Sequence, residues 1–156
     1  MKGNAEIIAA LNSALAEELT AISQYIVHSE MYDNWGYARL HKSFEKTAID
    51  EMKHAEKLIG RILFLEGIPI VSDLRKFHIG SKVDAMIQND LNNELGAVKL
   101  YNEIIALTVK LADNGTREMV EGILKDEEGH VDFEEAELDQ IAQIGMAGFL
   151  TEQIKE

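Results

Sequence analysis

Asp50-Glu51-Met52-Lys53-His54 and Asp126-Glu127-Glu128-Gly129-His130 are two copies of one pattern, Asp-Glu-x-x-His, each set in a stretch that reads as uninterrupted helix. Within each copy the Glu and the His are three residues apart, which puts both on one helix face. Another Glu stands 33 residues before each: Glu18 before Glu51, and Glu94 before Glu127. Sliding the chain by 76 residues lays Leu15-x-x-Glu18-Leu19-x-Ala21-Ile22-x-x-Tyr25 over Leu91-x-x-Glu94-Leu95-x-Ala97-Val98-x-x-Tyr101. The repeating unit is therefore a pair of helices, and each copy brings three candidate metal ligands with it.

Outward from these segments, the apolar spacing predicts helices over about residues 4–32, 36–65, 83–111 and 116–144, with a short fifth over about 147–154. Ile7, Ile8, Leu11, Leu15, Ile22 and Ile26 mark the first, and Leu40, Phe44, Thr47, Leu58, Ile62 and Leu65 the second. Asp33-Asn34-Trp35-Gly36 has turn composition, so these two helices should run antiparallel. Gly67 and Pro69 end the second. From Glu66 to about Lys82 helical periodicity is lost, yet Ile68, Ile70, Val71, Leu74, Phe77 and Ile79 are too apolar for a loose linker. An ordered crossover along the bundle is expected there. Ile87, Leu91, Val98, Tyr101 and Ile105 mark the third helix, Asp113-Asn114-Gly115 its turn, and Thr116 is the expected cap of the fourth. Val120, Ile123, Ile141 and Ile144 run along the fourth, and Gly145 and Gly148 should break it. The expected fold is all-α, a four-helix bundle with one long crossover between its second and third helices, forming one domain over residues 1–156.

Composition agrees. Of 156 residues 46% are hydrophobic and 28% charged, with a single Pro, which is the pattern of a soluble and largely helical chain. Zero Cys removes disulfides, thiolate zinc sites, iron–sulfur clusters and cysteine nucleophiles, so any metal must be held by nitrogen and oxygen. No segment approaches the roughly 20 apolar residues of a membrane span, and no basic-then-apolar leader opens the chain, so a cytoplasmic protein without a membrane partner is expected. The net charge of −13 argues against nucleic acid and anionic membranes and favours cations, although acidity also serves solubility.

Each helix carries acid on its inward line: Glu18 follows Leu11 and Leu15, Glu94 follows Ile87 and Leu91, and Glu51 with His54, and Glu127 with His130, interrupt the other two. All six fall near the middle of their helices, hence in one layer. Buried carboxylates without compensation carry penalties of several kcal/mol each, on the order of the effective desolvation cost per ion, and they repel one another. Two divalent cations would make four carboxylates and two neutral imidazoles formally neutral. One Glu from each of two helices with Glu-x-x-His from each of the other two is the known arrangement of di-iron and di-manganese carboxylate bundles. Hard ligands of this kind stabilise Fe(III) over Fe(II), which suits oxidation of Fe(II), with Glu51 and Glu127 as bridging carboxylates and Glu18 with His54, and Glu94 with His130, holding one ion each. A lone Glu-x-x-His is a weak signal, but two with matched partners are not.

On these residues the sequence resembles bacterioferritin, within the ferritin-like superfamily, over essentially its whole length. The resemblance rests on Glu18, Glu51, His54, Glu94, Glu127 and His130, on Met52 inside the first motif, and on Ile62-Leu63-Phe64-Leu65-Glu66-Gly67-Ile68-Pro69. It implies a ferroxidase, with two iron ions per subunit at those six residues. It also implies a 24-subunit shell of dimers storing a ferric mineral, haem b shared by each dimer with Met52 as axial ligand, and iron release by a ferredoxin-type reductant. The oxidant would be O₂ or H₂O₂. Met52 follows Glu51 directly and so points about 100° away from the inward line, toward a neighbour. Lys46 stands where some relatives carry a His beside Asp50, which speaks against an accessory iron site there. Tyr25 and Tyr101 are read as donors to the carboxylates or as core packing, Asp50 and Asp126 as solvated before steadying a histidine or conducting iron, and His28, His41 and His78 as surface or packing residues. Two other readings stay open: a di-iron peroxidase of the rubrerythrin kind without storage, although rubrerythrins add a Cys-bound iron, and a bundle holding zinc or manganese structurally.

Overall fold

Four helices carry the chain: α1 (Ala5–Asn34), α2 (Ala38–Phe64), α3 (Val83–Lys110) and α4 (Asn114–Gln153), in a computed structural model that describes residues 1–155. Among the described residues there is no strand. Asn4 caps α1, its side chain accepting from the Glu6 N–H at 2.8 Å. The first three helices end alike, on a residue of positive φ: Gly36 (82°), Glu66 (62°) and Ala112 (57°). Each end pairs a backbone hydrogen bond reaching three residues back with one reaching five back, for example Glu66 N–H to the Leu63 carbonyl (3.0 Å) and Gly67 N–H to that of Ile62 (2.8 Å).

Two ends differ from expectation. Asp113, not Thr116, caps α4: its carboxylate accepts from the Thr116 N–H (3.0 Å) and hydroxyl (2.6 Å), and from Arg61 of α2 (3.0 Å). An acid at this point satisfies the open N–H of the first turn and binds the cation from the neighbouring helix. The expected fifth helix over 147–154 is the last part of α4, set off by one residue. Gly145 (φ 78°, ψ 158°) alone leaves helical geometry, while Gly148 stays helical because nothing forces it out.

Interhelical hydrogen bonds and ion pairs fix the directions. His41 to Ser29 and Gly3 to Leu65 make α1 and α2 antiparallel. Tyr101 to Glu18 and Tyr25 to Glu94 do the same for α1 and α3, as Arg61 to Asp113 and His130 to Glu51 do for α2 and α4. Residues 65–82 carry no helix and are tied along α1 in rising order: Asn12 to Ile68 and Ile70, Thr20 to Arg75, Gln24 to His78, and His28 to Gly80. The segment is held by backbone polar groups, and beyond the buried Leu65 its apolar side chains from Ile68 to Ile79 face outward, Ile68 at 81% exposure.

The apolar core lies in two parts. One gathers Ile7, Leu11, Leu15, Leu58, Ile62, Ile104, Val120 and Ile123. The other gathers Tyr25, Tyr32, Leu40, Phe44, Met86, Ile87 and Phe149. Each fully buried Leu or Ile contributes roughly 1.5–3 kcal/mol. Between the two parts, on every helix, sits the polar layer. Ile26 and Ile144, among the apolar positions that marked their helices, are exposed, because a long helix presents its apolar residues over a wider arc than its core stripe.

Candidate metal centre

All four helices contribute to the layer at mid-height. Glu18 (α1), Glu51 and His54 (α2), Glu94 (α3) and Glu127 (α4) are buried, with exposures of 2% or less, and His130 (α4) is partly buried. Their donor atoms form two overlapping groups, Glu18, Glu51, His54 and Glu127 in one and Glu51, Glu94, Glu127 and His130 in the other, each within 4.8 Å. Glu51 and Glu127 belong to both groups, the positions that the repeat set opposite one another.

Several of these atoms approach without bonding. Glu127 Oε1 lies 2.7 Å from His54 Nδ1, and Glu51 Oε1 lies 3.0 Å from His130 Nδ1. Yet Glu51 Oε1, Glu127 Oε1, Glu94 Oε2 and His130 Nδ1 are buried with no hydrogen-bond partner. Buried polar atoms are normally satisfied, and atoms that crowd together without bonding are arranged as ligands of a common third party are. The donor set, all carboxylate and imidazole, fits divalent iron, manganese or zinc.

Electrostatics say the same. Burial pushes the carboxyls of Glu51 and Glu127 well above their usual range; Glu18 and Glu94 add repulsion at Glu51, and Glu51, then Glu94 and Glu18, add it at Glu127. Burial opposes charge on Glu94 too, but His130 and Glu127 hold its carboxyl low. Burial likewise opposes charge on His54, and Glu127, Glu18 and Glu51 outweigh it; at His130 it is Glu94 that does so. Without a cation, the layer can only hoard protons.

A surrounding set holds the six in place. Tyr101 of α3 donates to Glu18 Oε1 of α1, and Tyr25 of α1 lies within hydrogen-bond distance of Glu94 Oε1 of α3, so each tyrosine reaches across to the other half's carboxylate. His54 Nε2 lies 3.0 Å from Asp126 Oδ2, which leaves Nδ1 facing the layer. The matching pair, His130 Nε2 and Asp50 Oδ2, is 3.9 Å apart, because Lys46 holds that same oxygen at 2.6 Å. Asp126 thus steadies a histidine where solvation alone was the simpler expectation. His28 is fully buried, bonded to Asp90 at 2.7 Å and accepting from the Gly80 N–H, away from the layer. His41 bonds the Ser29 carbonyl, and His78 is exposed. Met52 is 44% exposed and turned away from the layer. The residue that sequence reasoning left without a role is Glu134, a further buried carboxylate four residues beyond His130.

An antiparallel bundle of four long helices with this inward polar layer defines a ferritin-like protein, and residues 8–144 match the family model described as the ferritin-like domain. The chain is 42% identical over 149 residues to the bacterioferritin of Rhodobacter capsulatus, covering 96% of this chain and 92% of that protein. It is 41% identical over 145 residues to that of Brucella melitensis (93% and 90%), and 37% identical over 156 residues to that of Streptomyces coelicolor (100% and 93%). The chain belongs to the bacterioferritin family.

Among the described residues no helix is long and apolar enough to cross a membrane.

Proposed function

We propose that this protein stores iron, oxidising Fe(II) to Fe(III) at Glu18, Glu51, His54, Glu94, Glu127 and His130 before depositing it as a mineral. What carries the reading is that Glu51 and Glu127 are shared by two ligand groups whose buried donor atoms lack other partners. Fe(II) is the substrate. Two ions side by side supply one electron each, enough to reduce H₂O₂ to water with two protons, or O₂ to H₂O₂.

The chain's own part is placement and charge. Glu51 and Glu127 span the two positions, Glu18 with His54 closes one end and Glu94 with His130 the other. Tyr101 holds Glu18, Tyr25 holds Glu94, and Asp126, 3.0 Å from His54 Nε2, orients the ring so that Nδ1 faces the layer, 2.9 Å from Glu51 Oε2. Four carboxylates offset the charge of two divalent ions and favour the trivalent state after oxidation.

The rest of the reading follows the family: a 24-subunit shell of dimers, working in the cytoplasm, emptied by a ferredoxin-type reductant. Residues 65–82 are its long crossover and the segment past Gly145 its short fifth helix. Haem b at the dimer interface fits this surface. Met52 is exposed beside Ile49 one turn earlier on α2, and Leu19, Ile22 and Ile26 follow one another at helical spacing on the paired α1. Met52 would supply a thioether ligand, and the haem would carry electrons toward stored Fe(III).

Anaerobic loading followed by air is the test. About two Fe(II) per subunit, one for each ligand group, should oxidise in a fast phase that Glu18→Ala or His130→Ala abolishes. An unchanged fast phase in both variants overturns the assignment. Electron microscopy of iron-loaded protein should show mineral-filled shells; their absence favours a peroxidase without storage.

A further inference from the structure

Beyond the six residues, the polar layer extends one turn further along α4. Glu134 is 1% exposed, and its Oε1 lies 2.6 Å from the Tyr25 hydroxyl, which also contacts Glu94 Oε1. Tyr25 has a single proton to donate, so it satisfies one of the two carboxylates. Their other oxygens, Glu94 Oε2 and Glu134 Oε2, are buried with no hydrogen-bond partner, and so is Tyr32 Oη, two turns beyond Tyr25 on the same face of α1. The two unpartnered carboxylate oxygens, on two helices, are a deficit of positive charge or of donors, while the Tyr32 hydroxyl lacks an acceptor.

The charge balance points the same way. Two divalent ions in the six-residue centre account for four carboxylates, and two buried acids remain, Glu134 and Asp90. Asp90 accepts from Gln24 (2.7 Å) and lies 2.7 Å from His28 Nδ1. His28 accepts from the Gly80 N–H at Nε2, so its one proton lies on Nδ1 and it brings no charge. Burial, Glu94 and Asp90 all oppose ionisation of Glu134. Asp90 already has its partners, whereas Glu134 has only the Tyr25 hydroxyl, so a cation at Glu134 would supply the charge that lets it ionise.

We propose that Glu134 anchors a third divalent-cation site, ligated by oxygen alone and sharing Glu94 with the six-residue centre. The proposal rests on the reading of that centre as a metal site. With carboxylates, a phenol nearby and no imidazole, the site suits a hard ion such as Mn(II), Mg(II) or Fe(II) more than zinc. A cation there stands between the centre and the Tyr25–Tyr32 side of the bundle, as a holding position for an ion entering or leaving.

Mn(II), which gives a strong anomalous signal, tests this under anaerobic conditions, with crystals measured at the manganese edge and stoichiometry read by equilibrium dialysis. The unmodified chain should show three peaks per subunit, two in the six-residue centre and one on a Glu134 oxygen. Glu134→Gln, which keeps shape and removes charge, should keep the first two and lose the third. Two peaks in both proteins, or a third peak that persists in the variant, overturns the third site and leaves the centre standing. No bound Mn(II) in either overturns both. The map of the unmodified chain decides even if the variant fails to fold.

Discussion

Tyr25 and Tyr101 show how far a single residue's role can be read before the fold is known. They fall at matching places in the repeat, on the inward lines, and that much is written in the spacing. That each reaches the carboxylate of the opposite half is a consequence of α1 and α3 running antiparallel, which no local pattern states. Because the two tyrosines serve opposite ends, Tyr101→Phe should weaken the ion held by Glu18 and His54, and Tyr25→Phe the ion held by Glu94 and His130. Each should lose about 10–100-fold in affinity, since Phe keeps the packing and deletes only the hydrogen bond. Stepwise Co(II) titration followed by visible absorbance would resolve this, and equal loss at both ions in either variant would refute it. The histidine partners differ in the same testable way. Asp126→Asn should slow Fe(II) oxidation more than Asp50→Asn, because Asp126 lies 3.0 Å from His54 while Asp50 is 3.9 Å from His130 and already bound by Lys46. The six layer residues were legible because period, motif and partner coincided. Glu134 stands on the same inward line of α4, but its counterpart in the repeat is Leu58, so no matching partner marked it for a role.

Helix ends separate what residue type announces from what geometry imposes. Gly36 advertises the end of α1, but at the ends of α2 and α3 the signalling residues, Gly67 and Asp113-Asn114-Gly115, come just after the left-handed place, which Glu66 and Ala112 take, held by the hydrogen bonds of the turn. The reverse happens in α4, where two glycines suggested a break and only Gly145 makes one. Its φ and ψ lie in a region essentially reserved for glycine, so Gly145→Ala should destabilise the protein by about 1–3 kcal/mol. Gly148 is helical with no side-chain or foreign atom nearer than 3.7 Å to an added Cβ, so Gly148→Ala should be neutral or gain up to about 1 kcal/mol. Denaturant melts of the pair decide it; equal effects would show that the bend is not seated at Gly145. At the other end of α4, Asp113 predicts a pH dependence. Burial opposes its charge, but the Thr116 bonds and Arg61 hold its carboxyl below the usual range. A depressed acid stabilises the fold above its unfolded value and loses that contribution as pH falls through its folded one. Asp113→Ala should therefore cost about 1 kcal/mol at pH 7, as lost caps do, and the difference from the unmodified protein should shrink below about pH 4.

For the molecule as a whole, the bundle that the repeat foretold has its core split by a layer that only cations make tolerable, so stability and loading must be linked. In the metal-free chain Glu51 and Glu127 have raised carboxyls and His54 and His130 raised imidazoles. A group whose folded value is raised stabilises most below its unfolded value, and that contribution drains away as pH rises toward the folded one. Acids and imidazoles here have the same sign: between about pH 5 and 8, metal-free protein should melt progressively lower as pH rises. Metal-loaded protein should do the opposite over that window, because protons compete with the ions for the same six side chains. At free Mn(II) near a hundred times its dissociation constant, binding adds about 2.7 kcal/mol, which for a chain of this size is roughly 5–10 °C. Replacing Glu51 and Glu127 together by Gln removes two buried charges while keeping their shape. The double variant should melt above the metal-free parent at pH 8, by on the order of 1 kcal/mol or more, and should no longer respond to Mn(II). Differential scanning calorimetry with and without chelator reads all four conditions. If the double variant melts below its metal-free parent, the layer's carboxylates support the fold through protein contacts of their own, and their crowding at mid-bundle needs no cation to explain it.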